Sequence, residues 1–254
     1  MRIATWNVNS VKARQERLLA LLARHRPDVV CLQELKTEAA RFPAEALREA
    51  GYHAAVLGQK TYNGVAILAR EEPCDVATGF GDGGDESQAR LVAATVGGLR
   101  VASAYIPNGQ EVGSEKWPYK LAWLARLAVW ARRQADGPPL VLGGDFNIAP
   151  EERDVANPAA WAGSVLCHPE VRAAWDALLD AGLVDSFRLH HAEGGHYSWW
   201  DYRMLGFPKN DGLRIDHLLL ATPLAPRCTA ALIDRDERKG KLPSDHAPVF
   251  VDLA

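Results

Sequence analysis

Short apolar runs alternate along the chain with a few longer stretches that have apolar residues at helical spacing. The short runs are rich in Val, Ile, Leu and Ala and are bounded by turn residues, a pattern typical of β-strands. They predict strands over residues 2–7, 28–33, 52–57, 64–69, 91–97, 99–105, 139–145, 196–200, 214–221 and 247–253. Gly97 and Gly98, between two of these runs, predict a tight hairpin.

The longer stretches predict four helices. They cover residues 10–25, 42–50, 117–135 and 169–181, while 80–90 and 150–168 are interpreted as loops. Ser10 is the expected N-cap of the first helix. The residues expected to form buried stripes are Leu18, Leu19, Leu21 and Leu22 in the first helix and Leu121, Leu124, Leu127 and Val129 in the third. About ten strands and a few helices, with no repeat or hinge, favour two packed sheets with helices outside, in one domain over residues 1–254.

The composition is that of an ordinary globular protein. The chain has 254 residues, of which 48% are hydrophobic and 24% charged, enough for a full core. No apolar run reaches the length of a membrane span, and the N-terminal segment begins a strand rather than a secretion signal. The scattered cysteines Cys31, Cys74, Cys167 and Cys228 favour free thiols in a reducing compartment. We therefore expect a cytoplasmic protein that does not associate with membranes.

The net charge limits the kind of nucleic-acid interaction that the chain can make. A charge of -3 and a pI near 6.2 argue against a generic nucleic-acid coat. They do not exclude a nucleic-acid enzyme whose acidic residues gather at a metal site and whose basic residues form a local rim. The basic-rich stretches 203–214 and 235–241 are candidates for that rim, and solvated loops are an equally good reading of each.

Polar residues interrupt or end several of the predicted strands. Such side chains cost free energy to bury unless they are paired or bound to a metal. Their spread along the chain predicts one active site gathered at the strand ends. Oxygen ligands without a cysteine or histidine cluster suit Mg²⁺ or Mn²⁺, and together with one histidine they suit hydrolysis of a phosphodiester by activated water. These residues are Asn7, Glu34, Asp145, Asn147, Asp216, Asp245 and His246.

Each of these residues also has a purely structural reading. Asn7 can cap its own turn, Glu34 can form an ion pair with Lys36, and the GGDFN segment can be an Asx-rich turn. Against the last reading, Asp145 and Asn147 are two residues apart and face the same side of an extended chain.

The Asp245-His246 pair is the more suggestive because a second Asp-His pair begins at Asp216 on another strand. A carboxylate beside an imidazole can fix the orientation of the ring and favour its protonated form.

The order of the motifs provides a further guide. The segments WNVNSVKAR, LQELK, GVAIL, AYIPNG, GDFNIAP, GLVDSFR, SWWDYR, GLRIDHLLLA and SDHAPV occur between residues 3 and 249. In this the chain resembles the exonuclease III-type apurinic/apyrimidinic (AP) endonucleases of the endonuclease/exonuclease/phosphatase superfamily. The resemblance implies a four-layer α/β sandwich, with two packed, mostly antiparallel sheets flanked by helices. It also implies Mg²⁺- or Mn²⁺-dependent incision of duplex DNA 5′ to abasic sites, with 3′-5′ exonuclease and 3′-end-cleaning activities.

The resemblance also implies roles for individual residues. Glu34 would bind the metal with help from Asn7, and Asp245 would lie at the metal edge. Asp145 would activate water, and Asn147 would orient that water or the phosphate. His246 and Tyr105 would contact the phosphate, and Asp216 would hold His246 in place. Trp199, Leu213 and Ile215 would form a pocket for the abasic sugar.

Other features leave room for alternatives. The candidates for contact with the DNA backbone are Lys36, Arg90, Lys120, Arg203 and the 235–241 loop. The alternative reading of the three pocket residues is ordinary core, because apolar residues on strands usually are core. The 150–168 loop is this chain's own, and its Cys167 and His168 are candidates for tuning exonuclease against endonuclease preference. His217 is expected to be a core or surface histidine.

Three functions remain open at this point. The leading one is a monomeric repair nuclease acting on duplex DNA with abasic sites or damaged 3′ ends. The alternatives are another phosphoesterase of the superfamily (a non-specific nuclease, or a phosphatase acting on phospholipids or inositol phosphates) and an inactive DNA-binding module. The presence of Glu34, Asp145, Asn147 and His246 counts against the last.

Overall fold

Two six-stranded β-sheets form the centre of the molecule in a computed structural model that describes residues 1–254. The first sheet has the strand order β11-β12-β1-β2-β4-β3, and the second has the order β5-β6-β7-β8-β10-β9. The strands are β1 (Arg2–Asn7), β2 (Val29–Gln33), β3 (His53–Leu57), β4 (Val65–Ala69), β5 (Cys74–Thr78), β6 (Leu91–Val96), β7 (Leu99–Tyr105), β8 (Leu140–Asp145), β9 (Leu183–Asp185), β10 (Asp216–Ala221), β11 (Cys228–Ile233) and β12 (Val249–Leu253).

Each sheet contains one parallel pair near its centre, and its other strands pair antiparallel. The parallel pairs are β1 with β2 and β7 with β8. The carboxyl ends of two parallel strands meet at the same edge of a sheet. Asn7 and Tyr105, which are the last residues of β1 and β7, therefore lie at such edges, each opposite the end of its parallel neighbour.

Helices cover the outer face of each sheet. They are α1 (Gln15–His25), α2 (Ala44–Glu49), α3 (Lys116–Arg133), α4 (Pro158–Trp161), α5 (Pro169–Leu179) and α6 (Gly206–Lys209). Leucines of α1 and α2 pack with the outer face of the first sheet, whereas apolar residues of α3 and α5 pack with the outer face of the second. A third apolar cluster lies between the sheets, on residues such as Ile3, Val29, Val101 and Val141. This arrangement confirms the four-layer sandwich, with two mostly antiparallel sheets.

Nine of the ten predicted strands are present, but the strand predicted over 196–200 is wrong. Trp199 forms only isolated bridges, to Leu213 and to His246. The segment instead lies between two other parts of the chain, because the Ser198 and Trp199 N–H groups donate to Leu213 O and the Trp200 N–H donates to Asp245 O. The prediction missed β5, β9 and β11, each of which is an edge strand.

The helix predictions hold with local corrections. The first helix begins at Gln15 rather than at residue 10, and Ser10 has a φ of 86° in the turn before it. Leu19 is only partly buried and Val129 is 45% exposed, so Val129 is not part of a buried stripe. The hairpin at residues 97–98 is confirmed by the antiparallel pairing of β6 with β7.

The two predicted loops differ from each other. The 80–90 segment contains no helix or strand, whereas the 150–168 segment contains α4 and a 3₁₀ turn at Glu152–Asp154. None of the helices combines the length and the apolar composition needed to cross a lipid bilayer.

Candidate active site

A cavity of about 730 Å³ opens where the ends of the two parallel strand pairs face each other. Its lining includes Glu34, Tyr105, Asp145 and His246, which come from segments far apart in the sequence. The structure therefore brings together the polar strand-end residues that the sequence analysis singled out.

Two carboxylates are joined through one buried amide. Asn7 Nδ2 donates to Glu34 Oε1 and to Asp145 Oδ2, at 2.9 Å in each case. The Asn7 amide oxygen accepts the Asn9 N–H at 3.0 Å, so it is already used and fixes the orientation of the amide. Asn7 is fully buried. It therefore holds the two carboxylates in place through its NH₂ group.

Glu34 lies just beyond β2, where the chain turns sharply. Its φ is 51°, in the left-handed region that a residue with a side chain enters at a cost. Its carboxylate also accepts the Tyr105 hydroxyl at 2.9 Å and lies 2.8 Å from Lys36 Nζ. The predicted ion pair between Glu34 and Lys36 is thus present inside the site.

His246 is held by a buried carboxylate. Its Nδ1 lies 2.8 Å from Asp216 Oδ2, and the same oxygen accepts the Ser198 hydroxyl at 2.7 Å. Its Nε2 faces Asp145 Oδ2 at 3.8 Å. The expectation that Asp216 orients the imidazole agrees with this geometry.

The charges of the site shift the pKa of its groups in opposite directions. Burial alone would lower the pKa of His246, but Asp216 and Asp145 outweigh that effect and raise it to about 10. Burial is the main cause that raises the pKa of Asp145 to about 7, opposed by the charge of His246. Burial would also raise the pKa of Glu34, but hydrogen bonds from Asn7 and Lys36 lower it overall. The imidazole is consequently a cation that faces a carboxylate able to take up a proton near neutral pH.

Asp145 and Asn147 form the turn that was predicted as an alternative, and they also line the cavity. The Asn147 N–H donates to Asp145 Oδ1 at 3.0 Å, which leaves Oδ2 facing Asn7 and His246. Asn147 has a φ of 51°, and its amide oxygen accepts Asn108 Nδ2 at 3.0 Å. The structural and functional readings of GGDFN are therefore compatible.

The donor set fits a hard divalent cation. Carboxylate oxygens of Glu34 and Asp145 and a ring nitrogen of His246 lie within 4.8 Å of one another; the two carboxylates can act as ligands, whereas the protonated imidazole contributes a positive charge. With Asp216 and Asp245, the carboxylates of this group number four. The cationic side chains beside them number two, Lys36 and His246. The difference (four minus two) is an excess of two negative charges, which a divalent cation would neutralise, and carboxylate oxygens are the ligands that Mg²⁺ and Mn²⁺ prefer.

Asp245 lines the same cavity but is not one of the three converging groups. Its two oxygens accept Asn9 Nδ2 at 2.9 Å and Trp199 Nε1 at 3.1 Å. It lies at the rim, with both oxygens engaged by neighbouring side chains.

The structure separates the three residues of the predicted sugar pocket. Trp199 and Ile215 line the cavity, and the ring of Trp161 packs edge-on against that of Trp199 at 5.9 Å. Leu213 is fully buried in the core under the second sheet and does not line the cavity. Leu213 therefore belongs to the core, contrary to the pocket prediction.

The predicted DNA-contact residues also differ in position. Arg203 lines the cavity and is exposed, and the Arg90 guanidinium lies 4.8 Å from the Tyr105 ring centroid. Lys120 is fully buried, and its ammonium donates to the carbonyls of Asn108, Asn147 and Val165. Lys120 is thus not placed to contact DNA, contrary to the prediction, because its amino group is buried and links three loop carbonyls from inside.

The 235–241 loop is also partly internal. Arg238 is buried and donates to Ser244 O, whereas Lys239 and Lys241 are exposed. Lys239 forms an ion pair with Asp236 at 2.6 Å, so Lys241 is the exposed basic residue of this loop that is best placed to meet a phosphate.

Three residues of the site were not found by sequence reasoning. Asn9 links Lys36 to Asp245, Ser198 supports Asp216, and Trp161 borders the cavity from the 150–168 loop. The available signal for Ser198 was the SWWDYR motif, of which it is the first residue, and the signal for Asn9 was the WNVNSVKAR segment, which contains it; Trp161 lies outside the quoted motifs. From the same loop, Cys167 and His168 do not line the cavity, and His168 packs edge-on against Trp117.

His217 is a core histidine, as expected. It is buried, with Nδ1 at 3.0 Å from an Arg214 nitrogen and Nε2 at 3.0 Å from Ile148 O.

Comparison with known proteins places the chain among nucleases. The model of the endonuclease/exonuclease/phosphatase family matches residues 4–246. The chain is 37% identical to exodeoxyribonuclease III of Haemophilus influenzae, over the whole of both chains.

Solved structures of similar proteins cover the chain equally well. A 3′ phosphatase from Neisseria, bound to a product DNA hairpin, superposes with a TM-score of 0.98 and 43% identity over 100% of this chain and 99% of that one. An AP endonuclease from Archaeoglobus fulgidus superposes with a TM-score of 0.95 and 36% identity over the same shares.

Proposed function

The chain belongs to the endonuclease/exonuclease/phosphatase family, and we propose that it is a DNA-repair hydrolase. It would incise duplex DNA 5′ to abasic sites and remove nucleotides or blocking groups from 3′ ends. The relatives support both parts, since one is an exodeoxyribonuclease III, one an AP endonuclease and one a 3′ phosphatase.

One observation carries the proposal. Glu34, Asp145 and His246 converge at the end of a cavity, and Asp216 holds His246 from behind. This pairs a carboxylate suited to proton transfer with a cation suited to a phosphate oxygen, which is the arrangement needed to cleave a phosphodiester with water.

We propose Mg²⁺, or Mn²⁺, as the cofactor. Glu34 would be its principal ligand, with Asn7 keeping Glu34 and Asp145 in register and Asp245 at the outer edge. When bound, such an ion polarises the scissile phosphate and offsets the charge that develops on its oxygens.

The side chains would divide the remaining chemistry. Asp145 would take the proton of the attacking water, with Asn147 orienting that water or the phosphate. His246, kept protonated by Asp216, would neutralise a phosphate oxygen. The Tyr105 hydroxyl, now directed at Glu34, would turn to a second phosphate oxygen.

Substrate selection would depend on the walls of the cavity. An abasic sugar leaves the base stack at lower cost than an intact nucleotide. Trp199 and Ile215 offer a small apolar surface beside the catalytic groups, bordered by Trp161. Lys36, Arg90 and Arg203 lie in or beside the cavity and would contact the DNA backbone. We further propose that the protein acts as a monomer in the cytoplasm.

The proposal is tested with four labelled duplexes: an abasic site, a recessed 3′ end, a 3′-phosphate and an intact control. Initial rates in Mg²⁺ should be high on at least one damaged duplex and low on the control. Excess EDTA should abolish cleavage, and Mg²⁺ or Mn²⁺ should restore it. Full activity in chelator would overturn the metal assignment, and equal rates on all four duplexes would favour a non-specific nuclease.

A further inference from the structure

A histidine-rich turn on the surface brings together three potential metal ligands outside the active site. Ligand atoms of His191, Glu193 and His196 lie within 4.8 Å of one another. His191 Nδ1 is 3.4 Å from Glu193 Oε1, and His196 Nε2 is 2.9 Å from the same oxygen. None of the three lines the active-site cavity.

The hydrogen bond at the far side of His191 fixes how its ring is protonated. Its Nε2 lies 2.8 Å from Ala231 O, and because a carbonyl only accepts, Nε2 carries the hydrogen. In the neutral ring Nδ1 is then a bare acceptor, directed at the Glu193 carboxylate, which is also an acceptor. Two facing acceptors repel each other unless a proton or a metal cation lies between them.

The same bond matches a feature of histidines that bind metals. Such histidines nearly always donate their second ring N–H to a carbonyl or a carboxylate, which fixes the tautomer and the ring orientation. The ring of His191 is also stacked on Phe187, with centroids 4.3 Å apart and an interplanar angle of 22°. His191 is therefore held in place before any ligand arrives.

The distances suit a small tetrahedral cation. Bonds of about 2.0–2.2 Å from Zn²⁺ to nitrogen and oxygen place tetrahedral ligands about 3.3 Å apart. The two separations from Glu193 Oε1 fall on either side of that value. Two imidazoles and one carboxylate favour a borderline metal over Mg²⁺.

We propose that His191, Glu193 and His196 form a second metal site, which binds a borderline transition-metal ion such as Zn²⁺ with a fourth position open to solvent. The bound ion would close the 191–196 turn. This turn leads directly to Ser198, which is bonded to Asp216, and to Trp199 in the cavity wall. The bound ion would therefore stabilise the segment that carries Ser198 and Trp199, and it would not contact the substrate.

The experiment is a calorimetric titration of the intact protein with Zn²⁺ in a large excess of Mg²⁺, which saturates the carboxylate-rich active site. We expect one equivalent of Zn²⁺ to bind and the melting temperature to rise. His191→Gln and His196→Gln should each weaken zinc binding by at least about 10-fold. Loss of a residue that only supports a ligand already costs about that much, and these two residues are ligands themselves. Circular dichroism should show both variants folded, because the side chains are 28% and 39% exposed.

Matched controls separate this site from its neighbours. Glu34→Gln should retain the zinc equivalent, because it alters only the active site. His190→Gln should retain it as well, since His190 faces Cys228, at 3.3 Å, rather than the cluster.

Three results would overturn the proposal. One is no zinc binding in excess Mg²⁺, which would leave an ion pair between Glu193 and protonated histidines. The second is loss of zinc binding in Glu34→Gln while His196→Gln retains it, which would place the zinc in the active site. The third is loss of zinc binding in His190→Gln while His196→Gln retains it, which would place the zinc beside Cys228.

Discussion

At the scale of single residues, the site depends on side chains that meet others from distant parts of the chain. Asp145 has one oxygen in its own turn and the other between Asn7 and His246. Its position is therefore set by three segments of the chain, which are its own turn and the segments that contain Asn7 and His246.

Asp145→Asn should lower kcat on the preferred DNA substrate by about 10² to 10⁴-fold, because the variant removes the group that we propose takes the proton from water. DNA binding, measured by fluorescence anisotropy, should persist. Asp176→Asn, on the exposed face of α5, is the matched control and should leave kcat unchanged. Turnover near that of the wild type in Asp145→Asn would assign the base to another residue.

Trp199 and Leu213 should respond differently to truncation, although the sequence suggested the same role for both. Leu213→Ala removes a fully buried core side chain and should cost about 2 to 5 kcal/mol of the free energy of unfolding. Trp199→Ala should spare more of the stability and selectively lower cleavage at abasic sites. Chemical denaturation and initial rates on two substrates separate the effects. A parallel loss of all activities and of stability in Trp199→Ala would contradict the pocket.

Some residues could be interpreted from the sequence and others could not. Asp145, Asp216 and His246 follow or begin strongly apolar strands, so their burial and mutual contact could be inferred. Lys120 could not be interpreted correctly, because its role depends on three carbonyls that approach it only in the folded chain. Asn9 is likewise defined by partners 27 and 236 residues away.

At the scale of secondary structure, the interior strands could be predicted and the edge strands largely could not. Each central strand is buried along its length and has a continuous apolar pattern, as in β2 and β4. β5 is exposed at every position, and β9 has only three residues. An edge strand is held by backbone hydrogen bonds on one side and partly faces water, so its composition carries little signal.

Two adjacent glycines show how closely β8 is packed beside the site. A Cβ added at Gly144 would lie 2.0 Å from Ala104 O, in the backbone of the parallel strand β7. A Cβ added at Gly143 would meet Leu218 Cδ2 at 2.9 Å, the end of a flexible side chain.

Gly144→Ala should therefore cost more stability than Gly143→Ala. Overpacking typically costs about 1 to 3 kcal/mol, and we expect Gly144→Ala to reach or exceed the upper value because β7 itself must move. That movement would separate Tyr105 from Asp145, which are paired in register, so activity should fall as well. Thermal denaturation and initial rates of the two variants provide the comparison, and equal stability of the two would contradict this account of the packing.

At the scale of the whole molecule, stability should depend on pH through a buried ionic network. Arg214 lies 2.6 Å from Asp154, 2.8 Å from Asp185 and 3.0 Å from His217. Burial, with the charge of Arg214, lowers the pKa of His217 from 6.5 to about 4. The folded protein thus excludes a proton that the unfolded chain accepts.

The free energy of unfolding should fall by about 3 kcal/mol in total as the pH falls from about 6.5 to about 4, because the stabilisation linked to neutral His217 is lost over that range. The unfolded chain binds the proton first, so acidification favours unfolding. His217→Gln should flatten the dependence of the free energy of unfolding on pH in that range, and His53→Gln, at an exposed position, should not. Denaturant titrations across the range provide the measurement, and identical slopes for wild type and His217→Gln would refute the assignment.

The pairing of β1 with β12 has a consequence for the order in which the molecule is made. β12 lies between β11 and β1, and His246, just before it, faces the carboxylates of Glu34 and Asp145. A chain still attached to the ribosome at residue 240 would have both carboxylates of the site but no imidazole, and β1 would have an open edge. Nuclease activity would therefore arise only after β12 has emerged and paired with β1 in the first sheet.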